Sequence, residues 1–474
     1  MQRWTAAKIV ELFGADLRSL AVFRVVLALL VLADLANRAT DLYPHYSDLG
    51  VLPRTALVEQ VLSPWAFSLN LMNGMPFFQA LLFGVAALAA LGLLVGYRTR
   101  LMTIVVWVLL LSLHMRNPLV NGAESPMLRM LLFWGMLLPL GAYWSVDRAK
   151  KAAVARVSPR FLSQATVGLF LQIAFVYWFT AALKSGPEWR ADGTALYYAL
   201  SLEQISTQTG QYLLNFPDLL HVMTFATFGL EAIGPFLLFC PFFTGPVRTA
   251  GVLAFVGLHF GIWLTMDIGI FPWISAFCMV CFLPGWFWDR ALALRSVSLR
   301  RIGPARRLQL ATAARLVRTT GASARARLSS VTGAGQLLFA GPTLRAGNGV
   351  PHATAAGTTG RDETAVGHET RHHAPGEEPE PVRLRSSLAT NLLALVFLLY
   401  VLCWNLTTVS AFTLPERAAP LGPFLGLDQS WGMFAPSPSS EDGWFVMPGN
   451  LRDGQRVDLM PVTRDDYRPH GVSW

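Results

Sequence analysis

Residues 165–183 read ATVGLFLQIAFVYWFTAAL, a run of 19 residues without a charged side chain that leads directly into Lys184-Ser185-Gly186-Pro187-Glu188-Trp189-Arg190. A helix of about 20 apolar residues is long enough to cross a hydrocarbon core of about 30 Å. The run therefore predicts a membrane-spanning helix that ends in a polar, aromatic loop.

Composition extends this prediction to the whole chain. Of its 474 residues, 53% are hydrophobic and 14% are charged, whereas soluble globular chains carry about 45–50% apolar and about 25% charged residues. An ordinary cytosolic enzyme is excluded. Further apolar blocks lie at 17–36, 77–96, 101–114, 127–142, 219–240, 247–265, 270–286 and 389–406. We therefore predict an all-α polytopic membrane helix bundle with about eight spans plus a ninth, C-terminal span.

Four segments follow from this pattern. Residues 1–290 form the predicted transmembrane domain, and residues 389–406 form the last transmembrane helix. Between them, residues 291–388 are rich in Arg, Ala and Gly and poor in aromatics, a composition that predicts a disordered cytoplasmic linker. Residues 407–474 follow the last span, and residues 444–447 and 456–460 predict two strands around the Asp453-Gly454 turn. This tail is predicted to be small, β-rich and exocytoplasmic.

Basic residues predict the orientation. With the N-terminus inside, the short basic connections around Arg98, Arg148 and Arg248 all fall on one side, together with the Arg-rich segment. Such connections stay in the cytoplasm. The N-terminus is therefore predicted inside and the C-terminus outside.

The formal charge of +9 does not indicate a nucleic-acid site. Residues 286–388 hold 15 Arg against 7 acidic residues, so this one segment supplies nearly all of the excess. No basic face remains elsewhere for nucleic acid. The same segment contains the histidines at 352, 368, 372 and 373, but it offers no rigid scaffold to hold a metal ion, so no metal site is expected there. The Cys278-x-x-Cys281 pair lies inside an apolar block without a second pair. No metal site or disulfide is therefore expected at these cysteines.

Ionisable residues inside apolar blocks need a reason, because each costs roughly 2.5–3.5 kcal/mol on insertion scales. The blocks and their ends contain Arg24, Asp34, His114, Glu231, His259 and Asp267. Arg24 and Asp34 lie towards the two ends of their span, where side chains can extend to the headgroups. Glu231 and His259 lie too deep for that, which favours a buried Glu–His pair or a site that opens outward.

Lys184 has two interpretations. Next to Trp and Tyr at a helix end, it can be an anchor in an aromatic belt at the membrane surface. Alternatively, it is an amine held in an apolar site, where loss of water disfavours the charged form and makes a usable base.

Several stretches resemble the bacterial horizontally transferred transmembrane (HTTM) domain family, which is similar to the membrane domain of vitamin K-dependent gamma-carboxylase. They are residues 20–24 (LAVFR), 41–54 (DLYPHYSDLGVLPR), 143–147 (YWSVD), 287–290 (FWDR), 431–436 (WGMFAP) and the loop around Lys184. The resemblance covers residues 1 to about 290 and part of the tail. It implies a multi-pass protein of the bacterial plasma membrane.

The resemblance also implies a role for Lys184. In the carboxylase, a lysine five residues before a tryptophan is the base that deprotonates vitamin K hydroquinone, and Lys184 stands five residues before Trp189. Two features differ from the carboxylase. Residues 117–124 (NPLVNGAE) offer no histidine as the partner of the base, and the tail is too short to be a large lumenal domain. A fold shared with the carboxylase does not by itself show that the two proteins catalyse the same reaction.

Three hypotheses result. The first is a membrane enzyme of the gamma-carboxylase-like kind that uses a lipophilic quinol or similar lipid, with Lys184 as catalytic base and Glu231, His259 and Trp189 shaping the pocket. The second is a non-catalytic membrane protein, an immunity, export or assembly partner, in which buried polar groups only hold helices together. A transporter ranks last, because no inverted halves are visible. The expected partners are the lipid bilayer and a lipophilic small molecule, and the sequence names neither cofactor nor protein partner.

Overall fold

A computed structural model of the protein describes residues 2–150, 158–301, 384–440, 448–450 and 456–458. The described chain is mostly helical. Its α-helices are α1 (Gln2–Phe13), α2 (Leu17–Thr40), α3 (Leu42–Tyr46), α4 (Arg54–Gln60), α5 (Pro76–Val95), α6 (Thr99–Arg116), α7 (Glu124–Met136), α8 (Val146–Lys150), α9 (Gln164–Leu183), α10 (Pro187–Arg190), α11 (Ala195–Ser201), α12 (Gln208–Leu213), α13 (Pro217–Leu238), α14 (Thr244–Thr265), α15 (Phe271–Cys278), α16 (Gly285–Arg301), α17 (Leu388–Thr408) and α18 (Leu421–Leu425). Short 3₁₀ helices lie at Leu69–Leu71, Pro118–Val120 and Met279–Phe282.

Seven of the nine predicted spans are single helices of membrane-crossing length. They are α2, α5, α6, α9, α13, α14 and α17. Each contains 18 to 24 residues, which at 1.5 Å per residue gives a length of about 27–36 Å. The chain is therefore a multi-pass integral membrane protein.

The fourth and eighth predicted spans are not single crossing helices. Block 127–142 forms α7, whose 13 residues reach only about 20 Å. Nearly all of α7 from Ser125 to Gly135 is buried, so its hydrophobicity reflects enclosure by other helices rather than contact with lipid. Block 270–286 is broken, because Phe271–Phe282 and Gly285–Leu294 meet at a bend of 92°. Pro284, between the two parts, cannot continue a helix in the ordinary way.

The bundle core is built from pairwise helix contacts. Helix α2 packs on α5, α9 packs on α17 and α13, and α14 packs on α13 and α15. The outer helices bury little of their surface, 28% of the α13 window and 22% of the α17 window, whereas α9 buries 72%. Helix α9 is thus the central helix of the bundle, which explains its uniformly apolar sequence.

A small antiparallel pair connects the starts of α2 and α9. Strands β1 (Ala15–Asp16) and β2 (Arg160–Phe161) pair Ala15 with Phe161 and Asp16 with Arg160. Helices α2 and α9 therefore begin at the same end of the bundle. Helix α17 begins there too, since Asn391 Oδ1 accepts a hydrogen bond from the backbone N–H of Gln164 at 3.1 Å.

Only part of the tail that was predicted to be β-rich lies among the described residues. Strands β3 (Pro448–Asn450) and β4 (Arg456–Asp458) pair antiparallel, with Gly449 opposite Val457. Strand β4 lies within the predicted 456–460, but the predicted strand at 444–447 lies outside the described residues. Residues 409–440 hold only α18 and loops.

The contacts divide the chain into two units. Residues 1–289 and 380–474 form one, and residues 290–379 form the other. Of the second unit the structure describes only the continuation of α16 to Arg301. Residues 291–301, predicted to belong to the disordered linker, are therefore helical. Residues 302–383 of the predicted linker, with the histidines at 352, 368, 372 and 373, lie outside the described residues.

Candidate functional site

Lys184 is placed by the end of the central helix. Helix α9 starts with a capping box, in which Ser163 and Thr166 exchange hydrogen bonds with each other's backbone, and it ends at Leu183. Lys184 is the C-cap residue, and its backbone N–H donates to Thr180 O at 3.1 Å. Its side chain turns inward, because the residue is only 3% exposed.

Glu231 meets this lysine from the neighbouring helix. The buried residues of α13, which include Leu220, Thr224, Glu231 and Leu238, lie on one stripe of a helix that otherwise faces outward. Lys184 Nζ donates to both carboxylate oxygens of Glu231, at 2.8 Å to Oε1 and 2.6 Å to Oε2. The two residues form a short, buried ion pair between α9 and α13.

Trp189 covers the lysine from the other side. Lys184 Nζ lies 4.0 Å from the centre of the Trp189 ring, within range of a cation–π interaction. Arg190 binds the backbone of the same lysine, since its Nε donates to the Lys184 carbonyl oxygen at 2.8 Å. A cation at this position also complements the negative end of helix α9.

The tail holds the loop that carries Trp189. Trp189 Nε1 donates to Phe434 O at 2.9 Å, and the Gly186 N–H donates to Pro436 O at 3.0 Å. The Ser437 hydroxyl donates to Glu188, which lowers the pKa of this partly exposed carboxyl. The residues around Lys184 are therefore contributed by three parts of the chain: α9, α13 and the segment after the last span.

The same tail segment is inserted in the bundle. Leu427 and Trp431 are fully buried, and Gln429 Oε1 accepts from Gln172 Nε2 at 2.7 Å and from Trp431 Nε1 at 2.9 Å. Trp404 Nε1 of α17 donates to the Gln429 carbonyl at 3.0 Å. This anchoring fixes the position of Phe434 and, through it, of Trp189.

His259 pairs with Tyr177 and not with Glu231. The Tyr177 hydroxyl and His259 Nε2 lie 2.8 Å apart, joining α9 to α14, and both residues are buried. His259 Nδ1 has no hydrogen-bond partner among the described residues. The Glu–His pair predicted from the sequence is wrong, because the amine of Lys184 occupies both oxygens of Glu231.

A cavity of about 590 Å³ lies at the same end of the bundle. It is not lined by Lys184, Glu231, His259 or Trp189. Its wall includes Phe271, whose ring packs edge-on against His259 with centroids 6.0 Å apart, and Phe434, whose carbonyl binds Trp189. Phe271 and Phe434 thus each contact both the cavity and a residue of the buried groups, His259 and Trp189 respectively.

The polar wall of this cavity is centred on Arg38. Its guanidinium donates to Asp34 at 2.9 and 3.1 Å, to the Tyr46 hydroxyl at 2.9 Å and to Ser125 Oγ at 2.7 Å. Arg38 is 7% exposed and Asp34 is 2% exposed. Arg38 lies just after the apolar block 17–36, so the hydropathy of the sequence did not mark it as a buried residue. The sequence did contain one indication of the Asp34–Arg38 ion pair, because residues four positions apart lie on the same face of a helix.

Two other sequence interpretations are corrected. Arg24 does not extend to the headgroups: it is 1% exposed, and its guanidinium donates to Leu140 O, Tyr143 O and Trp144 O, where the chain leaves α7. Asp34 likewise points inward, to Arg38. Asp267 is not inside a span, because α14 ends at Thr265 and its residue is exposed.

The fold and the buried polar pairs define a polytopic membrane protein with an ionisable site at one end of the bundle. A family description, HTTM domain, matches residues 14–286, more than half of the chain. The chain belongs to the HTTM domain family, and the sequence resemblance is confirmed. No curated protein and no solved structure matches it.

Proposed function

We propose that the protein is a membrane enzyme that removes a proton from a lipophilic substrate, a quinol or a similar lipid, with Lys184 as the base. The observation that supports this most is the contact between Lys184 Nζ and Glu231 at 2.6 and 2.8 Å, buried beneath the Trp189 ring. Two ionisable groups held this close in an apolar setting can share a proton. When Glu231 holds it, the amine of Lys184 is left with a free lone pair.

The enclosure determines how a substrate would reach the base. Lys184 Nζ is bounded by Glu231 and Trp189, so a substrate hydroxyl must replace one of the Glu231 contacts or displace the indole. The groups present fit a weakly acidic hydroxyl as proton donor, and a quinol supplies such a hydroxyl when bound. Trp189 shapes the pocket and excludes water, and Glu231 accepts the proton that Lys184 gives up. His259 and Tyr177 hold α14 in place beside them.

A non-catalytic function is the second candidate, and a specific observation favours it. The Lys184–Glu231 and Tyr177–His259 contacts each join two helices, so together they tie α13 and α14 to α9. Interhelical polar contacts of this kind hold membrane bundles together. In that case the pairs are structural, and the protein is an immunity, export or assembly partner.

Purification separates the two candidates. The full chain is purified in nanodiscs, and its retained lipids are identified by mass spectrometry, with empty nanodiscs from the same lipid extract as control. The enzyme proposal expects a quinone or related lipid to be enriched, with less enrichment in Trp189→Ala. A lipid profile identical to that of empty nanodiscs would favour the structural candidate.

The proposed location is the bacterial plasma membrane, with the N-terminus in the cytoplasm. In this orientation Lys184, the tail and the large cavity all lie at the outer end, because α2, α9 and α17 begin at the same end of the bundle. The proposed chemistry then takes place on the exocytoplasmic side.

A further inference from the structure

Residues 61–77, VLSPWAFSLNLMNGMPF, run from the end of α4 into the first turn of α5 and contain no charged side chain. Several of their large apolar side chains are exposed. They are Val61, Trp65, Phe67, Met72, Met75 and Phe77. Apolar side chains exposed together in one short segment mark a surface that contacts lipid or another protein. The proposed function gives this surface no role.

The exposed surface adjoins the lipid-facing side of α5. The exposed large apolar residues of α5 recur at intervals of three or four positions, which places them on one face of the helix. They are Phe77, Leu81, Val85, Leu88, Leu91 and Val95. Gln79, on the opposite side, is fully buried. Because α5 is a membrane-crossing helix, its exposed face contacts lipid, and the surface of residues 61–77 meets that face at Phe77.

Contacts with α6 set the depth of the segment. Ser68 Oγ donates to Ser112 O at 2.7 Å, and the Asn70 N–H donates to Ser112 Oγ at 3.0 Å. Ser112 precedes Arg116, the last residue of α6, by four positions, so it lies about 6 Å inside the end of that helix. The 18 residues of α6 give it a length of about 27 Å, no more than the hydrocarbon core of about 30 Å. The 3₁₀ helix Leu69–Leu71 therefore lies below the level at which α6 leaves the membrane.

A buried polar network satisfies the irregular backbone at this depth. Gln79 Nε2 donates to Asn70 O at 2.9 Å and to Asn73 O at 2.6 Å, and Gln79 Oε1 accepts from Asn70 Nδ2 at 2.7 Å. Asn70 and Gln79 are both fully buried. Non-helical backbone is tolerated at membrane depth only where protein groups satisfy it. These contacts meet that condition, whereas a loop in water could leave the same carbonyls to solvent.

We infer that residues 61–77 dip into the lipid leaflet at the end of the bundle where α6 ends. The side chains of Trp65, Phe67 and Met72 lie in the boundary between headgroups and acyl chains, where the ring of a Trp contacts lipid and its N–H reaches water. The inference does not depend on Lys184 being a base, because it uses none of the residues around that lysine.

Spin labels measure this depth. With the four native cysteines replaced, Trp65→Cys, Phe67→Cys or Met72→Cys carries a nitroxide, and the full chain is reconstituted in phosphatidylcholine nanodiscs without a protein partner. Collisions of the label with oxygen, which concentrates in lipid, are compared with collisions with a water-soluble nickel chelate. Leu88→Cys, on the lipid face of α5, is the lipid reference, and Asp192→Cys, at an exposed carboxylate, is the water reference.

The two environments predict opposite results. We expect oxygen to collide with the labels at positions 65, 67 and 72 more often than the nickel chelate does, with a depth of about 5–10 Å into the headgroup–acyl boundary. Labels as accessible to nickel as the one at position 192 would overturn the inference and leave this surface for a protein partner.

A substitution at Gln79 tests the role of the polar network. Gln79→Leu removes the donor to the Asn70 and Asn73 carbonyls, and unsatisfied backbone groups are costly in lipid. The label at position 72 should therefore lose its preference for oxygen over nickel in Gln79→Leu and keep it in Gln60→Leu, the matched control at an exposed position of α4. The label at position 88 reports whether the bundle remains inserted. An unchanged label at position 72 in Gln79→Leu would contradict the inference that the network holds the segment at this depth.

Discussion

Lys184 and Glu231 form a buried ion pair that joins α9 to α13, with N···O distances of 2.8 and 2.6 Å. Its position in an apolar block marked Glu231 as a residue that needs a reason, whereas Lys184 was marked by its place at a helix end beside Trp and Tyr and by the resemblance. Their pairing was not predictable, because 47 positions separate them and no periodicity reports which faces of two helices meet. For the same reason, the sequence paired Glu231 with His259, although His259 contacts Tyr177.

The Lys184–Glu231 pair should behave as a coupled unit in stability measurements. Lys184→Met and Glu231→Leu should each lower the free energy of unfolding by about 3–5 kcal/mol, because each leaves one buried charge without a partner. The double variant should lose less than either single variant. Thermal unfolding in detergent measures all three. Additive losses below about 1 kcal/mol, the size typical of exposed pairs, would show that the pair is not buried as described.

Arg38 illustrates a residue whose importance the sequence concealed. It lies at the end of α2, where an Arg facing the headgroups is ordinary, yet it binds Asp34, Tyr46 and Ser125 inside the bundle. Arg38→Lys should lower the free energy of unfolding by about 1–3 kcal/mol, since an ammonium cannot satisfy several partners in a fixed fork. Hydrogen exchange of residues 38–46 should increase, whereas Arg54→Lys, at a partly exposed pair, should have a smaller effect.

At the scale of elements, length and apolar content correctly predicted seven helices of membrane-crossing length. The other two predicted spans, 127–142 and 270–286, take a form that depends on packing and on a helix break. Helix α7 is apolar because it is enclosed, and the sequence cannot distinguish burial in protein from burial in lipid. The block at 270–286 contains Pro284, a residue that signals a break such as the observed 92° bend. The burial of Leu427 and Trp431 in the tail was not predicted, because these residues lie in a stretch without hydrophobic periodicity.

The short helix α8 supplies an N-terminal cap to α6. Asp147 Oδ1 accepts from the Arg98 N–H at 2.8 Å, and Oδ2 accepts from the Thr99 N–H and hydroxyl at 2.8 and 2.6 Å. Partial burial acts to raise the pKa of Asp147, but the Thr99 and Arg98 hydrogen bonds outweigh it, so the pKa is lowered. Its stabilising contribution is therefore complete above the unfolded value of about 3.9 and is lost as the pH falls through the lower folded value.

This cap gives a pH-dependent prediction. At pH 7, Asp147→Asn should destabilise the protein by about 1 kcal/mol, as other lost caps do. The difference from wild type should decrease below about pH 4, as wild type too loses the carboxylate charge. Thermal unfolding in detergent at several pH values measures it, with Glu59→Gln, at an exposed position of α4, as control. A difference that stays constant down to about pH 3 would contradict the assignment.

The tail anchor should also be measurable. Trp431→Ala removes a fully buried side chain and should cost about 3–5 kcal/mol. Because the tail holds Trp189 through Phe434 O, the variant should increase the labelling of Lys184 by an amine reagent, followed by peptide mass spectrometry. Leu421→Ala, at an exposed residue of the same tail, is the control and should leave Lys184 as protected as in wild type.

At the scale of the whole molecule, the orientation depends on an odd number of crossings. Helices α2, α9 and α17 begin at one end, so the chain has to return across the bundle between the end of α6 and the start of α9. This return agrees with the nine-crossing scheme drawn from basic loops, although α7 is too short to cross as a free helix. The side of the membrane on which each helix begins stays a prediction from the basic loops.

Single cysteines test the orientation directly. With the four native cysteines replaced, a cysteine at position 320 should be protected from a membrane-impermeant thiol reagent in intact cells, and one at position 460 should react. A deletion variant lacking residues 325–375 should still insert and keep this pattern, since their composition predicts no packed structure. Equal labelling at 320 and 460 would contradict the odd number of crossings.

The central claim is that Lys184 takes a proton from its substrate, and comparison with arginine tests it most directly. The rate at which dissolved oxygen oxidises added menaquinol to menaquinone is measured in the presence of wild type, Lys184→Arg and Arg54→Lys, with empty nanodiscs as the background, because the deprotonated quinol is the form that oxygen oxidises. Guanidinium keeps a charge at this position but cannot accept a proton at any working pH. We expect Lys184→Arg to fall to the empty-nanodisc rate while remaining folded, and Arg54→Lys to stay near wild type. Full consumption by Lys184→Arg would contradict the claim and leave the pair a structural tie between helices.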